Sequence, residues 1–224
     1  MNIPKVIYQT WINKNLPESI QDSIDNMLKI NYNYEYKLYD DNEIHDYITK
    51  NFDKDIKTAY ELLNVGAAKA DLWRYLILYE RGGIYIDIDS ILYGDLNTLI
   101  DDDCAIISRE KHQGIFVQWM LIYPPKHEIL KLCIDECVKN IKNKIYNNIL
   151  YLTGPVVYSA AIKKYFNNLD IYSESDAKMN LLKNNTKVKF FGIDYDGYAS
   201  FKHKDCNLLY KTNNHWSSQQ TILK

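Results

Sequence analysis

The sequence lacks several features that would place it in a specialised class of protein. No apolar run approaches the roughly 18 residues that a helix needs to cross a membrane. The first residues also lack the charged, apolar and small-residue regions of a signal peptide. A net charge of -2 provides no general attraction to nucleic acid. These absences predict a soluble, cytoplasmic protein with no integral membrane segment and no nucleic-acid partner.

Cysteine and arginine are both scarce. Cys133 and Cys137 are one helical turn apart, a spacing that could supply two metal ligands, but no second pair of cysteines or histidines accompanies them. We therefore predict buried free thiols at the four cysteines, which are Cys104, Cys133, Cys137 and Cys206. Because the chain has only three arginines (Arg74, Arg81 and Arg109), an arginine within a polar motif is notable.

The order of predicted elements indicates an α/β fold. Strands separated by helices in the first ninety residues favour a mixed, mostly parallel sheet with helices on both faces. With 224 residues and no repeat or low-complexity linker, residues 1–224 are predicted to form a single domain. The predicted strands cover residues 3–8, 34–39, 84–88, 104–108, 115–123 and 188–193. The predicted helices run from Ser19 to about 28, from Asp40 or Asp41 to about 50, from Asp53 or Asp55 to about 64, and over 67–79, 95–100, 128–142 and 157–166.

The most informative segment is 66–89, which reads GAAKADLWRYLILYERGGIYIDID. Its first part has apolar residues at helical spacing, and the glycine pair at 82–83 then stops the helix, because glycine reaches the left-handed cap conformation without steric cost. The alternation that follows is typical of a strand and puts Asp87 and Asp89 on one side, about 6–7 Å apart. Two carboxylates at the end of a mostly buried strand are costly unless a positive group binds there. The segment therefore predicts a divalent metal site.

Asp71 and Arg74 are spaced i, i+3 on one face of the predicted helix. They could form an intrahelical salt bridge worth roughly a few tenths of a kcal/mol. They could instead bind a ligand, because the alanines at positions 67, 68 and 70 allow close approach and a guanidinium fork suits sugar hydroxyls or phosphate oxygens. The residues themselves leave both interpretations open.

Ligands of open α/β sheets bind outside the carboxyl ends of the strands. Trp11 follows the first predicted strand, and the Asp87–Asp89 pair ends a later one. We therefore expect these residues to meet at one edge of the sheet.

Several segments together resemble a known family. The pattern A-A-x-A-D-x-x-R-Y-x-x-L-Y-x-x-G-G-I-Y-x-D-x-D over 67–89 is similar to the signature of glycosyltransferase family thirty-two, which includes the fungal initiating α-1,6-mannosyltransferase and bacterial capsule enzymes. The large clostridial glucosylating toxins have a similar core. Three further parts of the chain resemble the family in order: IPKVIYQTWINKNLP at 3–17, WMLIYPPKHEIL at 119–130, and the late elements Thr153-Gly154-Pro155 and His215-Trp216-Ser217. The chain departs from the family pattern at Tyr8 (usually histidine), at Lys69 (commonly serine) and in its tail, which lacks a glycine and a final tryptophan.

The resemblance implies a GT-A-like nucleotide-sugar-binding fold and retaining transfer of a hexose. The donor would be a UDP- or GDP-sugar, and the acceptor a glycan, a lipid-linked sugar or a protein. A Mn²⁺ or Mg²⁺ ion would neutralise the charge of the diphosphate leaving group. The implied catalytic residues are Asp71, Arg74, Asp87 and Asp89.

The resemblance also implies binding roles for individual residues. Asp71, Arg74 and Tyr85 would contact the donor sugar, and Trp11 would stack on the base with Gln9 and Thr10 beside it. Asp89 would be the main metal ligand, Asp87 would hold the ribose or a metal-bound water, and His215 would be a third metal ligand.

Two other functions are open at this point. The stretch YIDIDSIL at 85–92 resembles the start of haloacid-dehalogenase phosphatases, although Ser90 and Ile91 replace the glycine and hydroxyl residue of that motif. A non-catalytic nucleotide-sugar-binding protein on a transferase fold would also carry these residues. The nucleotide, the sugar, the acceptor and the linkage are not determined by the sequence.

Overall fold

The computed structural model describes residues 2–100, 104–111, 115–167, 179–183, 186–200 and 221–224. Its elements in chain order are β1 (Val6–Thr10), α1 (Glu18–Ile30), β2 (Glu35–Tyr39), α2 (Asp41–Asn51), α3 (Lys54–Leu62), α4 (Gly66–Arg81), β3 (Gly83–Ile86), β4 (Ile91–Leu92), α5 (Leu96–Leu99), β5 (Ala105–Arg109), β6 (Met120–Tyr123), α6 (Glu128–Lys142), α7 (Ile149–Leu152), α8 (Pro155–Tyr165), β7 (Met179–Lys183), β8 (Thr186–Ile193) and β9 (Ala199–Ser200).

Seven of the described strands form one sheet in the order β2-β1-β3-β6-β5-β8-β7. Parallel pairing joins β1 to β2, β1 to β3 and β5 to β8, whereas β6 and β7 pair antiparallel with their neighbours. Only β6 and β7 therefore run against the other strands of this sheet. The predicted mixed, mostly parallel α/β sheet is confirmed. The short strands β4 and β9 form a separate antiparallel pair.

Hydrophobic cores lie on both faces of the sheet. Successive residues of β3 alternate between them, since Tyr85 belongs to one core and Ile84 and Ile86 to the other. Helices α2, α3, α4, α6, α7 and α8 contribute to the first core, and α1 and α5 cover the second. The prediction of helices on both faces is also confirmed.

Helix α4 is buried on nearly all sides. Ala68 and every residue of 71–78 are buried, including the charged Asp71 and Arg74. A helix that is buried all round belongs to the protein interior. Its two charged residues must therefore find partners inside the protein.

A tight glycine turn joins α4 to β3, as predicted. Gly82 and Gly83 have φ values of 65° and 108°, in the region that favours glycine. A Cβ on Gly82 would lie 2.7 Å from Pro125, and one on Gly83 would lie 2.8 Å from the carbonyl oxygen of Val6. Both the backbone conformation and the close packing therefore require glycine here.

Several predicted boundaries are wrong, among them those of β1, α1 and β6. β1 begins at Val6 rather than at Ile3, because the Val6 N–H donates a local hydrogen bond to the Pro4 carbonyl oxygen at 2.8 Å. Ser19 does not cap α1, which begins one residue earlier, after Pro17. β6 does not include residues 115–119, where Val117 N–H donates across to Ser108 O and Trp119 O accepts from Asp87 N–H.

Other local predictions agree with the structure. Asp40 caps α2 through a capping box with Glu43, and Asp53 caps α3. Cys104, Cys133 and Cys137 are free and buried as predicted, while Cys206 lies outside the described residues. In the described part of the chain, no helix has the length and apolar character needed to cross a bilayer.

Candidate active site

The polar residues singled out in the sequence meet at one edge of the main sheet. β1 and β3 are parallel neighbours, so Gln9 and Thr10 at the end of β1 lie beside Asp87, which follows β3. β6 runs in the opposite direction, which brings Gln118, just before its start, to the same edge. This edge is the one where open α/β sheets bind ligands.

The acidic pair lies in a turn rather than on a strand. β3 ends at Ile86, after which Asp87 N–H donates to Trp119 O at 2.7 Å and Ser90 N–H donates to Asp87 O at 2.9 Å. The prediction of a strand that extends through Asp87 and Asp89 is therefore wrong. Both acidic residues are partly exposed, so solvent reaches them.

Arg74 is the centre of the site. Its Nη2 lies 3.2 Å from Asp71 Oδ1 and 2.9 Å from Asp87 Oδ1. Its Nη1 donates to Gln118 O at 2.9 Å and lies 3.5 Å from Asp87 Oδ2, and its Nε donates to Ala70 O at 3.3 Å. Arg74 therefore does more than form the i, i+3 salt bridge. It bonds two carboxylates from different elements, and protein acceptors surround its whole guanidinium.

Tyr85 connects this centre to the end of β1. The Arg74 guanidinium lies 4.6 Å from the centre of the Tyr85 ring, a cation–π distance. The Tyr85 hydroxyl donates to Asp87 Oδ1 at 2.9 Å and lies 3.4 Å from Thr10 Oγ1. The buried Gln9 donates to the backbone carbonyl of Asp87 at 3.4 Å. Gln9, Thr10 and Tyr85 thus support Asp87 from the β1 side.

Asp71 is enclosed by donors that the sequence did not identify. Gln118 Nε2 donates to Asp71 Oδ1 at 3.1 Å, and Thr153 Oγ1 donates to Asp71 Oδ2 at 2.9 Å. Thr153 stands in the Thr-Gly-Pro element noted above, which could have pointed to it. No role for Gln118 was indicated by the sequence, because this residue lies within residues 115–123, which are predicted to form a strand.

Burial and ion pairing oppose each other at these groups. Burial raises the pKa of Asp71 to about 6, although Arg74 acts to lower it. Burial also raises the pKa of Asp87, against the opposing effect of Arg74. For Arg74, burial disfavours the charge, but Asp87, Tyr85 and Asp71 together raise its pKa above the ordinary value. The cluster therefore combines a charged guanidinium with two carboxyl groups whose ionisation burial disfavours and Arg74 favours.

Trp11 directly follows this edge of the sheet. Its backbone N–H donates to Tyr39 O at 3.1 Å, and its partly exposed side chain packs against the second core. Trp11 is therefore beside the cluster, with part of its ring accessible. His215, the predicted third metal ligand, lies outside the described residues. Within the described ranges, no group of three or more His, Cys, Asp or Glu side chains is arranged to hold a metal.

An open groove of about 630 Å³ lies elsewhere, between α3, α4 and α6. Its apolar floor includes Phe52, Ile56 and Val138, and its charged rim includes the Lys142–Asp55 ion pair at 2.8 Å. None of the predicted site residues lines it. The groove is therefore separate from the Arg74 cluster.

The comparisons with known proteins converge on one family. Residues 17–106 match the family model described as a glycosyltransferase sugar-binding region containing a DXD motif. This region includes Asp71, Arg74, Tyr85, Asp87 and Asp89.

Among curated proteins, the chain is 27% identical over 173 residues to an uncharacterized glycosyltransferase of Acanthamoeba polyphaga mimivirus, covering 74% of the chain and 67% of that protein. It is 26% identical over 225 residues to inositol phosphoceramide mannosyltransferase 3 of Schizosaccharomyces pombe, covering 96% of the chain and 60% of that protein. It is 23% identical over 207 residues to the initiation-specific alpha-1,6-mannosyltransferase of Candida albicans (74% and 54%). The chain therefore spans between about half and two thirds of the length of these relatives.

Solved structures share the fold. The PaToxG glycosyltransferase has a TM-score of 0.57 at 22% identity, with 75% of this chain and 72% of that chain covered. The ligand-free glycosyltransferase domain of the YGT toxin has a TM-score of 0.52 at 10% identity, with 73% and 78% covered. The expected GT-A-like fold is thereby confirmed.

Proposed function

We propose that this chain, part of which matches the model of a glycosyltransferase sugar-binding region containing a DXD motif, transfers a hexose from a nucleotide sugar to a hydroxyl acceptor with the help of a divalent cation. The observation that carries the proposal is the Arg74 cluster. One buried guanidinium joins Asp71 and Asp87 at the ligand-binding edge of the sheet, beside the exposed turn that contains Asp89.

The turn suits a hard cation. The partly exposed carboxylates of Asp87 and Asp89 offer the oxygen ligands that Mg²⁺ and Mn²⁺ prefer. Tyr85 and Arg74 fix Asp87, so its carboxylate has a set orientation before any ligand binds. When bound, the cation would neutralise the growing charge of a diphosphate leaving group. Asp89 as main ligand, Asp87 beside it and His215 as third ligand are the residues we propose for this role.

The donor would lie across the same edge. In our proposal the base stacks on Trp11, which contributes roughly 1–3 kcal/mol, with Gln9 and Thr10 beside it. The sugar lies toward Asp71, Arg74 and Tyr85. Because protein groups already bond the polar atoms of Asp71 and Arg74, a sugar hydroxyl that bound there would have to share or replace one of these contacts.

The chemical role of Arg74 is electrostatic in this proposal. Its positive charge is fixed in a buried setting, where a preorganised charge stabilises developing negative charge better than water does. Transfer with retention of configuration is proposed without an enzyme nucleophile. Mannose is the first sugar to test, because several of the similar relatives are named mannosyltransferases.

The two other functions receive less support. A haloacid-dehalogenase phosphatase needs Asp87 as a free nucleophile, but Asp87 Oδ1 is paired with Arg74 and accepts a hydrogen bond from Tyr85. A non-catalytic binder would bind the donor without turning it over, so a turnover measurement distinguishes it.

The proposal is tested with a panel of UDP- and GDP-sugars in the presence of Mn²⁺ or Mg²⁺. We expect one donor to raise the melting temperature by mass action and to release its nucleoside diphosphate. The control is Asp46→Ala, which removes an exposed carboxylate of α2 and should leave both readouts unchanged. The absence of both stabilisation and turnover with every donor would contradict the proposal.

A further inference from the structure

Four buried side chains form a closed ring of hydrogen bonds behind the site. Thr153 Oγ1 donates to Asp71 Oδ2, and Gln118 Nε2 donates to Asp71 Oδ1. Gln118 Nε2 also lies 2.7 Å from the Tyr75 hydroxyl, which in turn donates to Thr153 O at 3.2 Å. Thr153 and Tyr75 are 0% exposed, and Asp71 and Gln118 are each 5% exposed. The ring thus joins α4, the segment before β6 and the residue after α7.

The ring faces Arg74 on its open side. Asp71 Oδ1 accepts from both Gln118 and Arg74, and the backbone carbonyl of Gln118 accepts from Arg74 Nη1. Gln118 therefore contacts both members of the ion pair through different groups. A shift of Gln118 or Thr153 would move the Asp71 carboxylate, and Arg74 would lose the geometry by which it holds Asp87.

We propose that Gln118 and Thr153 are positioning residues for sugar transfer, because their hydrogen bonds orient Asp71 as the counterion of Arg74. This inference rests on the proposed function, since it assigns residues that prepare that same site. Both side chains bond Asp71 directly, and through it they act on Arg74.

The physical reason is the cost of a buried carboxylate. Burial disfavours its charge, and hydrogen bonds to the charged form offset this cost. Both donors lower the pKa of Asp71, in opposition to burial. The titratable and charged groups that face Asp71 are Arg74 and Tyr75 on its own helix, Asp87 after β3 and Cys137 on α6. Without either donor, Asp71 takes up a proton at a higher pH.

The test compares two variants of the Thr153 hydroxyl donor with one control variant. Thr153→Val removes only the hydroxyl, and Thr153→Ser keeps it. The matched control is Thr98→Val, which removes the hydroxyl of an exposed threonine that donates to Asp95 O. The measurement is the pH dependence of kcat/KM for donor turnover, which reports groups of the free enzyme. Far-UV circular dichroism and melting temperature establish that each variant is folded.

We expect the acidic limb of the Thr153→Val profile to move to higher pH by about half a unit, which corresponds to about a threefold change in the protonation ratio. Thr153→Ser and Thr98→Val should keep the wild-type limb. A purely structural role would lower the melting temperature without moving the limb, and that result overturns the inference. If Thr153→Val does not fold, Gln118→Glu replaces it: this variant keeps the side-chain size, and an added carboxylate beside Asp71 should move the limb the same way. An unmoved limb in that variant also overturns the inference.

The two proposals fail in different ways. If the wild-type protein turns over no nucleotide sugar, the proposed function fails. If the wild-type protein is active and the limb of the folded variant does not move, only the assignment of Gln118 and Thr153 fails.

Discussion

The two carboxylates that share Arg74 occupy opposite environments. Asp71 belongs to an enclosed half of the site, formed with Gln118, Tyr75 and Thr153, and its side chain is 8% exposed. Asp87 belongs to an open half, the turn of residues 87–90, and its side chain is 23% exposed. The same guanidinium bonds both. In the proposed function the two carboxylates therefore divide the work: one would hold the arginine and the other would meet the ligand.

This comparison also explains why both acids are needed near one arginine. A buried arginine with a single partner at the surface would be costly to keep dehydrated. The enclosed half gives Arg74 a buried partner, while the open half places a second carboxylate where the proposed cation would bind. Four experiments test this division.

Removing Arg74 should have the largest effect, because Arg74 is the group that joins the enclosed half of the site to the open half. Arg74→Ala leaves two carboxylates without their shared partner, and we expect the free energy of unfolding to fall by about 3–5 kcal/mol together with a loss of turnover. Arg74→Lys should retain more stability but still impair turnover, because an ammonium cannot replace the fork. Urea denaturation at pH 7 measures the effect. Arg81→Ala, an exposed arginine of the same helix, is the control. Wild-type turnover in Arg74→Lys would limit Arg74 to a structural role.

Changing the open half alone should affect activity rather than stability. Asp89→Ala should reduce sugar transfer by roughly 10²-fold or more, the scale of losing a key stabiliser of transition-state charge. Because Asp89 lies in a partly exposed turn, we expect the free energy of unfolding to change by less than about 1 kcal/mol. Steady-state rates and urea denaturation of the same sample separate the two effects. Unchanged turnover in the folded variant would exclude Asp89 as the main metal ligand.

The enclosed half should be visible in the pH dependence of stability. Asp71 has its pKa raised to about 6 by burial, so between about pH 4 and pH 6 the folded protein binds more protons at this site than the unfolded chain. Its contribution to the free energy of unfolding is therefore present at low pH and is lost as the pH rises through this window. Asp71→Asn should remove this contribution from the profile of urea midpoint against pH.

The matched variant for this profile is Asp46→Asn, whose side chain is 88% exposed. It should leave the slope between about pH 4 and pH 6 as in the wild type. A slope that Asp71→Asn leaves unchanged would show that Asp71 is not the group responsible.

The smallest effect is expected at the turn that connects the two halves. Gly83→Ala forces a side chain into a conformation with φ of 108° and toward the Val6 carbonyl. We expect a loss of about 1–3 kcal/mol, the usual cost of such strain. Gly192→Ala, where φ is 51° but a Cβ would meet no atom within 4 Å, should cost less. Equal losses at the two glycines would mean that packing at Gly83 contributes little.

Local features were predictable from the sequence where neighbouring residues determine them. Asp40 and Asp53 cap helices through their own following N–H groups, and α6 has the predicted bounds of 128–142. The end of β3 was not predictable, because Asp87 N–H bonds Trp119 O, a residue distant in sequence. Alternation of residues continues past that point although the strand does not.

The same contrast holds for the candidate site. The spacing of Asp71 and Arg74 could be read from one helix, and their pairing is confirmed. Gln118 and Thr153 could not be assigned a role, since the contacts that give them one depend on how β6 and α7 approach α4. A hydrogen bond between distant segments leaves no periodicity in either of them.

These separations also bear on how the chain is made. Thr153 follows Asp71 by 82 positions, and the Gln118 carbonyl follows Arg74 by 44. On the ribosome, Asp71 therefore emerges well before the donors that satisfy its carboxylate. Until they arrive, Asp71 lacks these hydrogen bonds, and burying its carboxylate would be costly. Burial of the arginine and completion of the fold thus coincide, and a partly synthesised chain does not hold an assembled site.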